Sequence, residues 1–442
     1  MQTAVQGGEQ KDPQNEIRKA ELDRARKAGQ DGIRKAGQDR IHMVDDAKKV
    51  PLSELDQRLR RFRAAMDEKE PGWRMALVIS KVNQYYFTGT MQDGVLFIPR
   101  DGEAVYYVRR SYERAVDESL FPDIRPMESY RDAAAALGRL PETVHIEAEF
   151  VPYGMCVRLQ KYFGFEGVKA LDAVVARVRS VKSPYELELM IKAGDIHRRV
   201  MEERVPKLFR EGMSEAELTA EVFKVLIGEG HQGIARFNMF DCEILLGHIA
   251  FGESSLYPTY FNGPGGNYGL GPEMQLMGSR ENRLAAGDLV FVDTGCAYKG
   301  YQSDKTMTYV FGRPLTAHAV EMHKKCLEIQ ERIREMLRPG IAPSYIYETV
   351  MKDIDESSLP NFMGFGNRRV KFLGHGIGLH VDELPVLAKG FDEPLQEGMV
   401  FAVEPKAGVE GVGMVGIENT FIVTPEGGRC ITGSHPGLME VY

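Results

Sequence analysis

Five side chains in the second half of this chain could do chemistry together. Asp293 ends the apolar run "LVFV", Asp304 follows in "GYQSDKT", Glu404 ends "MVFAV", and Glu418 sits inside "MVGIENTFIV". His375 lies in the glycine-rich stretch "GHGIGLHVDELP". A carboxylate inside an apolar strand must be paired, hydrogen-bonded or bound to metal, because burying it alone is costly. No set of Lys or Arg that matches these acids is expected in the same strands. The residue types therefore point to a pair of divalent cations shared among the five, which would activate water and polarise a carbonyl oxygen.

These groups need a scaffold of strands. "EILLGHIAFG", "DLVFVDTGCAY", "TMTYVFG", "MVFAVEPKAG" and "MVGIENTFIVT" read as strands, with helices at 316–338 and 344–356 between them. The second half is thus expected to be α+β, a curved antiparallel sheet flanked by helices. Ser183-Pro184 opens one long helix, and Ser214 with Glu217 forms a capping box on the next. Upstream, "SELDQRLRRFRAAMDEK" reads as a helix. "MALVIS", "YYFTGT", "GVLFIP" and "EAVYYVRR" read as strands that alternate with helices in a smaller α/β domain. Residues 1–50, where "RKAGQD" occurs twice, read as a flexible or partly helical tail without catalytic candidates. The expected units are 1–50, 51–178 and 179–442.

A net charge of −8 argues against a nucleic-acid scaffold. The five cysteines are scattered and never form a C-x-x-C pair, so neither a disulfide framework nor a structural zinc site is expected. No apolar stretch approaches the roughly 18 residues of a membrane helix. The first residues carry no export signal, so the cytoplasm is the expected compartment.

"VDTGCAYKGYQSDKT", "GHGIG", "AVEP" and "GIENTFIVT" resemble the ordered motifs of the methionine aminopeptidase/prolidase/creatinase family, the pita-bread fold. The likeness extends more weakly to 51–175, which resembles the N-terminal α/β domain of the prolidase and creatinase branch. It implies that Asp293 chelates one metal, that Asp304 and Glu418 bridge the pair, and that His375 and Glu404 complete the other site. Manganese is the implied ion, with cobalt, iron or zinc as alternatives. The implied activity is hydrolysis of the bond before proline in a dipeptide or short peptide. The implied assembly is a homodimer.

Three substrate-side positions depart from that pattern. The peptidases usually read "GHGIGLEVHE", whereas here Asp382 replaces the second histidine and an extra histidine stands at 380. The "PH" that precedes the first ligand strand is represented by Thr259, and the arginine two residues before the last ligand by Gly416. Asp382 is expected to act as a general base or to hold a cationic substrate group, the alternative being a plain hydrogen bond to a backbone N–H. Strand alternation would put His380 on the same face as Asp382. The catalytic candidates are therefore Glu404, Asp382 and His380, and the substrate-side candidates His248, Thr259 and Asp382. Phe251, Tyr257, Tyr260, Phe261 and Tyr268, in the segment 251–282, could cage a cation. These departures keep a second reading open: a small-molecule enzyme resembling ectoine hydrolase, creatinase or dimethylsulfoniopropionate lyase. A third reading is a non-catalytic interaction protein.

Overall fold

The computed structural model describes residues 44–442, so the repeats in the tail lie outside the described residues. The helix Leu52–Lys69 buries Leu55, Leu59, Phe62 and Met66, a spacing of four, three and four that keeps them on one face. It lies against a six-stranded sheet made of β1 (Met75–Val78), β2 (Asp93–Pro99), β3 (Val105–Arg110), β4 (Ile124–Pro126), β5 (Thr143–Ile146) and β6 (Gly167–Ala170). The strand order is β4-β3-β2-β1-β5-β6, antiparallel at β1–β2 and β2–β3 and parallel elsewhere. The segment expected as a strand at 85–90 is instead the end of a helix, Lys81–Thr88. Gly89 closes that helix at φ 76°, with its N–H bonded to Tyr85. A short aromatic run buried on several sides carries no period that separates helix from strand.

The second half is the expected antiparallel arrangement with flanking helices, except that its last strand, Leu438–Val441, pairs in parallel with Tyr301–Phe311. One sheet is formed by β7 (Gly247–Phe251), β8 (Leu289–Tyr298) and β9 (Tyr301–Phe311). A small hairpin, β10 (Gly364–Phe365) and β11 (Arg368–Arg369), precedes β12 (Gly374–Gly376) and β13 (Glu383–Val386). The run "MVFAVEPKAG" is two strands, β14 (Val400–Val403) and β15 (Lys406–Val409), because Pro405 cannot continue the ladder. The run "MVGIENTFIVT" likewise breaks into β16 (Gly413–Gly416) and β17 (Asn419–Thr424), followed by β18 (Gly427–Cys430) and β19 (Leu438–Val441). The sheets are ordered β19-β9-β8-β7, β13-β12-β14-β17-β18 and β15-β16. An isolated bridge between Thr306 and Glu418 joins the first to the junction of β16 and β17. The helices Pro184–Arg199, Glu215–Glu229, Ala317–Met336 and Pro343–Lys352 cover the outside, the first two opened by the Ser183/Glu186 and Ser214/Glu217 capping boxes.

One buried charge network ties the halves together. Arg58, fully buried, donates to Glu54 Oε1 at 2.7 Å, to the Tyr86 carbonyl at 2.8 Å and to the Tyr301 hydroxyl at 2.9 Å. Tyr301 in turn donates to Glu186 at 2.8 Å, and Ser183 to Glu54 at 2.9 Å. The guanidinium also stacks 4.5 Å from the Tyr86 ring. The first helix is thereby anchored to the strand that carries Asp304.

Candidate active site

Asp293 and Asp304 sit on the paired strands β8 and β9, facing Thr306 and Gly295 across the ladder. His375 comes from β12, while Glu404 and Glu418 occupy the breaks just after β14 and just before β17. These breaks let both glutamates turn off the ladder toward the aspartates. All five residues line one cavity of about 290 Å³. Asp304, His375 and Glu418 offer ligand atoms that all lie within 4.8 Å of one another. His375 Nδ1 lies 3.1 Å from the Gly376 carbonyl, to which it can only donate. That bond leaves Nε2 as a free lone pair, 3.6 Å from Glu404 Oε1 and 3.8 Å from Glu418 Oε1. Glu418 Oε1 is buried and has no hydrogen-bond partner. An orphaned carboxylate oxygen beside an imidazole lone pair and Asp304 fits a cation, and no described protein group supplies one there.

The other half of the cluster is different. Lys406, on β15 and wholly buried, places Nζ 3.0 Å from Asp293 Oδ2, 2.9 Å from Glu404 Oε2 and 2.8 Å from Glu418 Oε2. The expectation that no matching set of Lys or Arg lies in these strands is thus corrected in one respect: a single lysine serves three of the acids. Glu404 and Lys406 are two apart, so they share a side of the chain despite the proline between them. Continuing the alternation through Pro405 would have placed Lys406 on the Glu404 side of the chain, though not among the other acids.

The charges in the cluster act strongly on one another. Burial raises Asp304 well above the usual carboxylate range, with Glu418 and Asp293 adding to it. Burial, together with Glu404 and Asp293 and against the pull of Lys406, pushes Glu418 up to about 8. Burial would also lift Asp293, but Lys406 and His248 bring it below its ordinary value. Burial disfavours the Lys406 charge, yet its three carboxylates outweigh that and raise it well above the ordinary lysine range. Four carboxylates around one ammonium leave a deficit of positive charge on the Asp304 side.

The substrate-side candidates separate into two groups. His248 and Asp382 line the cavity. Asp382 Oδ1 accepts the Asn238 N–H at 2.6 Å, which pins the segment carrying Phe237 and Asn238 over the cavity. Burial raises the Asp382 carboxyl above its ordinary value, against the Asn238 N–H and His375. His248 is held neutral, pushed down to about 4 by burial, and its Nε2 lies 3.4 Å from the Thr259 hydroxyl. Thr259 therefore stands behind His248 and does not line the cavity. His380 is not in the cavity wall either. It lies in a turn where the Gly378 N–H bonds back to the His380 carbonyl, so strand alternation does not apply. Its Nδ1 is 3.1 Å from Arg179, which also pairs with Glu383. Burial and Arg179 push the ring down to about 3.

The expected aromatic cage is mostly elsewhere. Phe251 is core, and Tyr257, Tyr260 and Tyr268 are exposed. Phe261 does face the cavity, packed edge-on to Phe237 at 5.2 Å, and Phe372 completes an aromatic wall. Phe237 and Phe372 carry no sequence signal, because loops from distant segments bring them in.

Comparison with known proteins agrees with this architecture. The model of metallopeptidase family M24 matches residues 188–425, and that of the creatinase/prolidase N-terminal domain matches 58–181. The Xaa-Pro dipeptidase of Pyrococcus furiosus is 29% identical over 387 residues, covering 87% of this chain and 100% of that protein. The solved prolidase of Pyrococcus horikoshii OT3 superposes with a TM-score of 0.71 at 26% identity, over 86% of this chain and 99% of that one. The solved prolidase of Pyrococcus furiosus gives 0.69 at 27% identity, over 84% and 99%.

Proposed function

The chain belongs to metallopeptidase family M24, and from that premise we propose that it is a metal-dependent hydrolase of a small amide, first of all the bond before proline in a dipeptide. The observation that carries this reading is the convergence of Asp293, Asp304, His375, Glu404 and Glu418, from separate segments, on one small cavity. At about 290 Å³ the cavity lies just below the roughly 300–1,000 Å³ typical of ligand sites. That size suits a dipeptide better than a long peptide.

A divalent cation between Asp304, His375 and Glu418 would supply Lewis acidity toward a carbonyl or water oxygen. Manganese suits the carboxylate-rich set, with cobalt, iron or zinc as the other members of the proposal. Lys406 holds Asp293, Glu404 and Glu418 in fixed positions. Glu404 Oε2 is tied to that lysine, while Oε1 points toward His375 and is placed to take a proton. The Phe237–Phe261–Phe372 wall offers an apolar seat for a proline ring and excludes water from it. The reading also has the chain act as a homodimer in the cytoplasm, with no nucleic-acid partner. Among the described residues no helix is long and apolar enough to cross a membrane.

A specific observation favours the second reading, an enzyme for a small zwitterion. The described residues lining the cavity include no Lys or Arg to receive a dipeptide's free carboxylate. A cationic group would instead meet Asp382 and an aromatic wall. One experiment separates the two. Metal-loaded protein is assayed on Xaa-Pro dipeptides, ectoine and dimethylsulfoniopropionate, with chelator and with Asp304→Ala and Glu418→Ala as controls. Xaa-Pro hydrolysis that both variants abolish supports the leading reading. Turnover of only a zwitterion supports the second, and activity that survives chelation and both variants refutes metal dependence.

A further inference from the structure

We propose that the ammonium of Lys406 takes the place of one cation of the pair expected from the sequence, so that the centre binds a single divalent ion between Asp304, His375 and Glu418. This inference rests on the metal-dependent reading above and changes its stoichiometry. A lysine ammonium has three N–H donors and no lone pair, and here all three point at carboxylates within 2.8–3.0 Å. Of the three carboxylates, Asp293 is the implied chelator of one metal and Glu418 a bridge to it, while Glu404 is implied to complete the other site with His375. A divalent ion held by Asp293 and Glu418 would have to compete with Nζ for Asp293 Oδ2 and Glu418 Oε2, the oxygens the ammonium already binds.

Two further features show that the lysine belongs in the centre. Lys406 lies opposite Gly416 on the β15–β16 ladder, and Gly416 adopts φ +129°. A Cβ at 416 would come within 2.4 Å of the Pro405 carbonyl and 3.1 Å of Lys406 Cγ, so the neighbouring strand is bare where the lysine stem passes. The orphaned Glu418 oxygen, meanwhile, is Oε1, on the His375 side away from the lysine. The unmet need for positive charge therefore lies on one side only. Counted formally, four carboxylates and one ammonium carry three net negative charges. One divalent ion brings the buried centre to minus one, whereas a second would leave it positive and in direct contact with an ammonium.

The test uses the full chain, stripped with chelator and re-equilibrated with excess Mn²⁺. Metal content is measured by elemental analysis and the coupling between ions by electron paramagnetic resonance. The wild type should bind one ion per chain with the spectrum of an isolated Mn²⁺. Lys406→Met should bind two, with the broadened spectrum of a coupled pair. Two ions per wild-type chain, or none, would overturn the proposal, as would a folded Lys406→Met that still holds one. If that variant folds poorly without metal, the wild-type stoichiometry and spectrum decide alone. One-ion protein that hydrolyses no substrate in the panel would sink the functional reading and leave this one standing. Two-ion protein that cleaves Xaa-Pro dipeptides would do the reverse.

Discussion

The aspartate at 382 has two separable placements in this geometry. Its Oδ1 holds the Asn238 N–H at 2.6 Å, and its carboxylate faces the cavity that the candidate ligands line. Asparagine in the same place keeps an oxygen acceptor for the Asn238 N–H but removes the charge. If the charge serves as a base or as a cation anchor, Asp382→Asn should lower turnover by about 10²–10⁴-fold, with metal content unchanged by elemental analysis. Full activity in that variant would mean that Asp382 only pins the loop. His380 offers the contrast. Arg179 and Glu383 hold its ring and backbone, and it does not line the cavity that Asp382 lines.

At the scale of elements, the site depends on how the ends of helices and strands are tied. His231 follows the C-terminus of the helix Glu215–Glu229, and its Nδ1 accepts the Ala297 N–H of β8 at 2.9 Å. An imidazole that accepts at Nδ1 must be neutral, and burial pushes this one from 6.5 down to about 4. The unfolded chain therefore binds the proton more readily than the folded one. Stability from this group is complete above pH 6.5 and is lost as the pH falls through about 4. Urea midpoints measured from pH 7 to pH 4 should fall with acidification. His231→Leu, less stable throughout because Ala297 N–H loses its acceptor, should show a shallower fall. An unchanged slope in the variant would remove His231 from the acid response.

For the whole molecule, the Arg58 network decides whether the N-terminal α/β unit is fastened to the catalytic sheet. Removing one member of a buried charge network leaves the others uncompensated, at a cost of about 3–5 kcal/mol. Arg58→Met should destabilise the protein by that order, read as a loss in the urea midpoint, because Glu54 and Glu186 remain buried. Pairing it with Glu54→Gln should return part of the loss, since the double variant strands one buried carboxylate instead of two. A change confined to a few tenths of a kcal/mol, the usual size for exposed pairs, would show that the halves are held by apolar packing alone. One hydrophobic cluster does cross the same boundary, joining Leu55 and Phe62 with Tyr301, Ile377 and Leu379.

The sequence by itself determined the acids and the histidine, the order in which they occur, and most of the strands that carry them. It could do so because an ionisable group inside an apolar run is costly unless something compensates it, and that conflict is visible without coordinates. Capping at Ser183 and Ser214 was equally legible, since a helix start is a local matter of a few residues. What fills the cluster was a tertiary decision. "MVFAVEPKAG" reads as one strand, but Pro405 splits it, and folding of β15 against β16 brings Nζ among carboxylates from β8, from just after β14 and from just before β17. The aromatic wall and the capture of His380 by Arg179 arose in the same way, from contacts 201 positions apart in the second case. Spacing along a chain reports which side of an element a residue takes, whereas its neighbour across a cavity is set by how the distant segments close.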